Sequence, residues 1–537
     1  MATKHIFSKF FIILFCLFPF YLFYLAFYSN NSFFKNLVNN NVEIFYLFFI
    51  VLAVLFSFLV SNYFLKSKYK PSSKFLILLF IKALIVVYGI FLVLNSFSRY
   101  VSYKSQAIDM AFFNQVIWQL SEFKLSEIAL SQHFSPILLI FVPFFWIAKS
   151  NSFLMLAQSI FVISAGIPLY LASKHKLQSE FLPIALVFAY LSFGGIQFGY
   201  AYGFHEIMLF PAFFFWGYYF YLKNKFKTYI LFLILSLLVK EEVTFIIIFW
   251  GLYLALKKQY KYAISSIVIG ILWYILTFHV VFPAFNKGGF GYWGQYPGEG
   301  LLGILQYAIF NPIEFLKTLI TPKYKIDTIL HSYGTFSFLS FLSPSTLIVT
   351  TPSLLEKLLS NNIAAASGFH YSAAIGAVVL VSVIEAIYNI KKKKIFEKLI
   401  KNKNIFLGVI IFYVAVLANI LYGYHPLSPL HIGKETGLSD AGLLYLEKAI
   451  NLIPKDATVA SQYYIRPHLK SPYWLVKDGP SDNETYDYVI VNTELPLVLW
   501  ETEHIEKNVN KIMGEGNYEI IVNAYGTLLF RNKRLSK

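Results

Sequence analysis

Charge is scarce in this chain, and acidic charge scarcer still: charged residues make up 14%, with 28 Asp and Glu against 45 Lys and Arg. A soluble domain carries about 25% charge, so an ordinary soluble protein is excluded. Cysteine is nearly absent. The single Cys16 excludes an intramolecular disulfide, so any outer domain must hold together without one. No internal repeat is found, which counts against a secondary transporter assembled from two related halves. Nucleic-acid motifs are missing too. The net charge of +17 is therefore read through its placement, with lysines clustered between apolar runs where they set topology and meet anionic headgroups.

What the chain has in abundance is apolar sequence: 57% of residues are hydrophobic and the mean hydropathy is +0.60. Several runs reach the roughly 20 residues that cross a hydrocarbon core of about 30 Å. Helices satisfy their own backbone groups in lipid, so the fold class is a polytopic α-helical membrane protein. Ile6 to Tyr28 reads as an anchor that stays, and Val42 to Leu65 as a second span. Lys66, Lys68, Lys70 and Lys74 then mark the cytoplasmic side, and Phe75 to Asn95 returns outward. Further spans are expected at Phe153 to Ala172, Phe181 to Gly199, Ile207 to Leu222, Ala263 to Phe282, Ala364 to Ile390 and Ile405 to Tyr424. The path of 336–360, broken by Pro344 and Pro352, stays open.

Three regions follow: two N-terminal spans in 1–66, a membrane core in 67–424 with outer loops 98–136 and 283–335, and an outer α/β domain in 425–537. In that last region a helix is expected over Leu443 to Leu452. Strands are expected at Thr458 to Ala460, Tyr473 to Val476, Tyr488 to Asn492, Tyr518 to Asn523 and Thr527 to Phe530. The expected location is the cell membrane, with loop 98–136 and the C-terminal domain outside it.

The first outer loop holds the leading chemical candidate. Ile108, Phe112, Val116 and Leu120 recur at helical spacing, with Asp109 beside that stripe, as in a helix lying along the membrane surface. Apolar surroundings are expected to raise the pKa of Asp109 and suit it to take a proton from a hydroxyl. An ordinary helix-surface acid gives the same pattern about as often. His133, just before apolar sequence resumes, fits a phosphate ligand, a metal ligand or an interfacial hydrogen-bonder. His205 and Glu206 are adjacent and point apart, so alone they make no two-ligand metal face.

Lys240, Glu241 and Glu242 interrupt the apolar stretch from Tyr229 to Leu256, which reads as two short helices meeting at the charged triplet. Three ionisable groups at that depth are costly unless they pair or face a wet cavity. Tyr200, Tyr202, Tyr292, Trp293 and Tyr296 are placed to stack on a sugar or to form an interfacial belt. Asn30 and Asn483 sit in Asn-x-Ser/Thr sequons, a frequent chance match in an Asn-rich chain.

Five motifs carry a resemblance: AIDMAFFNQVIWQLSE, HFSPILLIFVPFFWI, FHEIMLFP, LLVKEEVTF and FHYSAA. Together they resemble the prokaryotic membrane-protein family catalogued as domain of unknown function 2079 (DUF2079), over Ser98 to Phe285, around His370 and through IPKDATVASQYYIRPHL near the C-terminus. That family resembles, more distantly, the GT-C superfamily of polytopic glycosyltransferases. The resemblance implies a GT-C-like membrane core, an acidic catalytic residue in the first outer loop and a lipid-linked sugar as donor. Asp109 takes the catalytic position, with Glu206 as a second catalytic candidate. Arg99, His133, His205, Lys240, Glu241, Glu242, His370 and Tyr371 are the candidates for binding the donor phosphate or substrate.

The expected function is transfer of a sugar from a polyprenyl-phosphate carrier in the membrane lipid to an unknown acceptor on the outer face, with inversion. A divalent cation remains an open cofactor, because no second acid adjoins Asp109. The alternative is a secondary transporter or lipid flippase that uses the Lys/Glu triplet as an intramembrane charge relay.

Overall fold

The computed structural model describes residues 50–58, 71–104, 108–125, 133–285 save 148–150, 294–362 save 299, 370–393, 402–423, 438–469, 476–478, 485–495 and 516–536, with isolated positions between them. The first expected span, Cys16, both sequons, Tyr292, Trp293 and the side chain of His370 lie outside the described residues.

Among the described residues, four helices are long and apolar enough to cross a membrane: Ile81–Val101, Ser152–Leu177, Tyr260–Phe285 and Ala373–Lys391. In chain order we label α1 Pro71–Val101, α2 Ile108–Ser121, α3 Asn151–Ser164, α4 Gly166–Leu177, α5 Phe181–Ser192, α6 Gly194–Tyr202 and α7 Phe210–Leu222. Next come α8 Phe226–Leu237, α9 Val243–Leu256, α10 Tyr260–Tyr274, α11 Gly300–Phe310, α12 Pro312–Ile320 and α13 Tyr324–Gly334. The last are α14 Thr351–Leu359, α15 Ala373–Lys391, α16 Lys403–Tyr422 and α17 Asp440–Asn451.

At the centre stands α15, buried along nearly its whole length, as its small and β-branched residues (AAIGAVVLVSVI) allow. Helices α4, α6 and α7 pack around it. Its far end is pinned by Glu385, which accepts from Tyr218 Oη at 2.7 Å and pairs with Lys176 Nζ at 2.8 Å.

Two glycines set the geometry near the site. Helices α5 and α6 bend by 46° at Phe193. A Cβ on Gly195 would meet Ser372 Cβ at 2.7 Å, and one on Gly199 would collide with Met208 Sδ. Their missing side chains let α6 close against the turns at 206–209 and 370–372, so three separate stretches of chain converge there.

Residues 336–360, broken by Pro344 and Pro352, form short turns around Pro344 and then α14. Helix α10 continues as a π-helix over Ile275–Val281, a rare conformation that is frequent at functional sites.

Near the C-terminus, helix α17 is capped by Ser439, whose Oγ accepts from Gly442 N at 3.0 Å. The strands are β1 Val459–Ser461, β2 Val476–Asp478, β3 Tyr488–Asn492, β4 Tyr518–Ala524 and β5 Thr527–Asn532, in sheet order β2-β1-β3-β5-β4. Strands β1, β2 and β3 run parallel; β5 pairs antiparallel with β3 and β4. Leu446, Ala449 and Ile450 of α17 bury against Val459, Ile490 and Leu529. The same core contains Tyr103, from just past the end of α1.

The 3-10 turn Arg466–His468, which follows β1, packs on α2. His468 lies between the rings of Tyr100 at 4.4 Å and Tyr103 at 3.8 Å, and Tyr100 Oη donates to Pro467 O at 3.3 Å. Burial among these rings pushes the His468 imidazole down to about 3, so it stays neutral.

Candidate functional site

The site is built from turns between apolar helices. Helix α2 buries Met110, Phe112, Phe113, Val116 and Ile117, which leaves Asp109 at its first turn with a side chain 33% exposed. From the turn after α6, His205 reaches across so that its Nε2 lies 2.9 Å from Asp109 Oδ2. Glu206, the next residue, points the other way and pairs with Lys240 Nζ at 3.4 Å. Adjacent residues thus serve two different partners, as their opposed directions require.

Lys240 sits in the turn between α8 and α9, so the charged triplet does separate two short helices. Its ammonium lies between Glu206 and Glu242, the latter at 3.6 Å, and 5.2 Å from the centre of the Tyr371 ring. Glu241 turns toward His133, whose Nδ1 lies 2.8 Å from Oε1, and accepts from Phe134 N at 3.1 Å. The backbone bond Ile137 N to Leu238 O, at 2.9 Å, fastens the His133 segment to this turn. Lys240, Glu241, Glu206 and His205 are all buried.

The local field corrects one expectation. Burial does push the Asp109 carboxyl upward, but the hydrogen bond and charge of His205, with the charges of His133 and Lys240, outweigh it and hold the pKa below the usual value. For His133, burial disfavours the charged ring, yet Glu241 reverses this and the pKa lies above its ordinary value.

A second correction concerns the aromatic candidates. Tyr200 is 1% exposed in the core and cannot meet a ligand. Tyr202 packs on His205, with centroids 5.2 Å apart, and Tyr296 lines the cavity described next. Arg99 serves the nearby backbone: its Nη2 donates to Lys104 O at 3.1 Å and its Nε to Ala201 O at 3.4 Å.

Beside the cluster opens a cavity of about 350 Å³. One end is charged, formed by His133, Lys240, Glu241, Glu242 and Tyr371. The remainder is largely apolar, with walls from Phe245, Phe249, Phe278, Leu301, Ile304 and Leu305. Asp109 and His205 are not among its walls, but His133, Lys240 and Tyr371 lie close enough to Asp109 to interact with its charge. Among the described residues no three His, Cys, Asp or Glu side chains converge to hold a metal ion.

Two groups of important residues escape sequence reasoning. Gln158 of α3 is fully buried; its Nε2 donates to Gly203 O at 3.0 Å and Gly199 O at 3.2 Å, and its Oε1 accepts from His205 N at 2.6 Å. A lone amide inside an apolar run was the available signal. Glu356 and Lys357 of α14 lie in the region of unclear path; Lys357 Nζ donates to Tyr371 O at 2.9 Å and so braces the ring beneath Lys240.

A polytopic helical membrane protein, with a buried ionic cluster at the end of an apolar cavity and a small sheet domain, is the class that these features define. The chain belongs to the family of predicted membrane proteins DUF2079, whose model matches residues 99–529. No curated protein sequence matches it. Among solved structures it is similar to ArnT from Cupriavidus metallidurans bound to undecaprenyl phosphate, with 8% identity over 83% of this chain and 97% of that one and a TM-score of 0.45. The apo structure of the same ArnT gives 7% identity, the same coverage and a TM-score of 0.43.

Proposed function

We propose that this chain is a membrane glycosyltransferase that moves a sugar from a polyprenyl-phosphate carrier to an acceptor hydroxyl on the outer face. The observation that carries the reading is the pairing of an apolar cavity ending in Lys240 and His133 with a carboxylate, Asp109, outside its walls. An amphipathic donor and a polar acceptor need two such approaches to one point.

In this mechanism the prenyl chain lies against Phe245, Phe278 and Leu305, and the phosphate meets Lys240 and His133. The acceptor hydroxyl attacks the anomeric carbon from the face opposite the phosphate. Asp109 takes its proton as the bond forms, and the bond from that carbon to the phosphate oxygen breaks, leaving polyprenyl phosphate. The configuration inverts. Lys240 and His133 stabilise the charge that gathers on the leaving phosphate.

The low basicity of Asp109 suits a late proton transfer, when the attacking oxygen has become acidic. His205 orients Asp109. Glu206 acts through Lys240, which it holds in place, rather than on substrate. Glu241 likewise acts through His133.

Native mass spectrometry of the protein gently extracted from its own membrane tests the reading. A co-purifying polyprenyl-phosphate sugar supports it and identifies the donor. Bulk phospholipid alone, together with ion-dependent solute uptake into vesicles, replaces it with the transporter.

A further inference from the structure

The cavity has a polar wall that the mechanism above does not use. Helix α14 and its C-terminal end present Ser353, Glu356 and Ser360 to the cavity, and Gln295 and Asn362 line it beside them. Ser353 and Glu356 are three residues apart and so share one helix face. The segment after α14 is tied to residue 295: Ser360 Oγ donates to Gln295 Oε1 at 3.1 Å, and Asn361 N donates to Gln295 O at 2.9 Å.

One group on this wall is unsatisfied, and a second lacks an ion pair. Ser353 is 3% exposed and its Oγ has no hydrogen-bond partner. Buried hydroxyls are ordinarily paired, and this one lines the cavity, so it is free to bond a ligand there. Glu356 makes no ion pair among the described residues, although it stands in the same cavity as Glu242. Among the described residues this wall presents a carboxylate and no Lys or Arg to the cavity, so the phosphate falls to the Lys240 and His133 end.

A carboxylate outside any close ion pair, an orphan hydroxyl and two amides form a set suited to a polyol. Each carboxylate oxygen accepts from a sugar hydroxyl in a charge-assisted bond, Ser353 donates or accepts, and the Gln295 and Asn362 amides do both. The wall is also joined to the reacting end: Lys357, next to Glu356, holds the Tyr371 backbone at 2.9 Å.

We infer that the Ser353–Glu356 face of α14 is the sugar subsite of the cavity, where Glu356 accepts hydrogen bonds from hydroxyls of the sugar on the carrier. This rests on the glycosyltransferase reading, and the test separates the two. The full chain in nanodiscs is titrated with undecaprenyl phosphate and with undecaprenyl phosphate bearing glucose, mannose or galactose.

Wild-type protein is expected to bind the bare carrier and to bind at least one glycosylated carrier about tenfold more tightly. Glu356→Gln and Ser353→Ala are expected to lose most of that gain and to hold the bare carrier within about twofold of wild type, which also shows that they fold. Three results overturn the subsite: no gain for any sugar in wild type, a full gain retained in both variants, or an equal loss for bare and glycosylated carriers. Failure of wild type to bind even the bare carrier instead overturns the glycosyltransferase reading, and the subsite with it.

Discussion

Lys240 and Glu206 meet at 3.4 Å with side chains 5% and 2% exposed, although they come from turns on opposite sides of α7 and α8. The pair closes the FHE and VKEE motifs onto each other. Lys240→Met strands Glu206 and Glu242 without their cation and is expected to cost about 3–5 kcal/mol in stability. Adding Glu206→Gln should recover part of that loss. A double-mutant cycle on thermal or denaturant melting in detergent checks it, and strict additivity would show that the two charges are not coupled.

Asp109→Asn is expected to lower sugar transfer by about a thousandfold, within the range for losing a positioned general base. Carrier binding should stay within about twofold, because Asp109 is not a wall of the cavity. Turnover close to wild type in this variant would remove Asp109 from the mechanism.

Gln158 acts on the site at one remove. Gln158→Leu keeps the bulk but removes the acceptor of the His205 backbone N–H and one donor to the carbonyl of Gly203, a loss of about 1–3 kcal/mol. Gln158→Glu retains the acceptor and loses the donor, so it should fall between wild type and Leu in both melting temperature and turnover. Wild-type turnover in the Leu variant would show that the His205 turn holds without it.

The His133–Glu241 pair carries a pH signature. The folded His133 pKa lies above the ordinary value of 6.5, so the stability it contributes is full below about pH 6.5 and is lost as pH rises through the folded value. Melting temperatures measured between about pH 6 and pH 9 should therefore decline in wild type, and decline less in His133→Asn. Asp109 has the opposite sign. Its folded pKa is lowered, so its contribution is present above about pH 4 and lost as the medium becomes more acidic.

Much of the architecture was readable because it follows from periodicity. The break at Lys240–Glu242 falls between two helices as the apolar lengths on either side required, and each of the five expected strands overlaps one in the sheet. The partners within the site were not readable. Asp109 and His205 are 96 positions apart and His133 and Glu241 are 108 apart, and the close approach of α6 to the turn at 206–209 depends on Gly199, which no pattern announces. The expected upward shift of Asp109 failed for the same reason, since apolar neighbours were visible in the sequence and the cations were not. Tyr200 misled because an aromatic near a span end has the same spelling in a core as at an interface.

Tyr103 has a consequence for the order in which the molecule is completed. It belongs to the same buried core as Leu446, Ile465 and Leu529 of the C-terminal sheet region, yet it is made just after α1. During synthesis it leaves the ribosome hundreds of residues ahead of every neighbour it will have there. The last region of the chain therefore finishes its interior only by coming back to a side chain already waiting at the end of α1. A fragment starting after α16 would lack one of the side chains that fill its core.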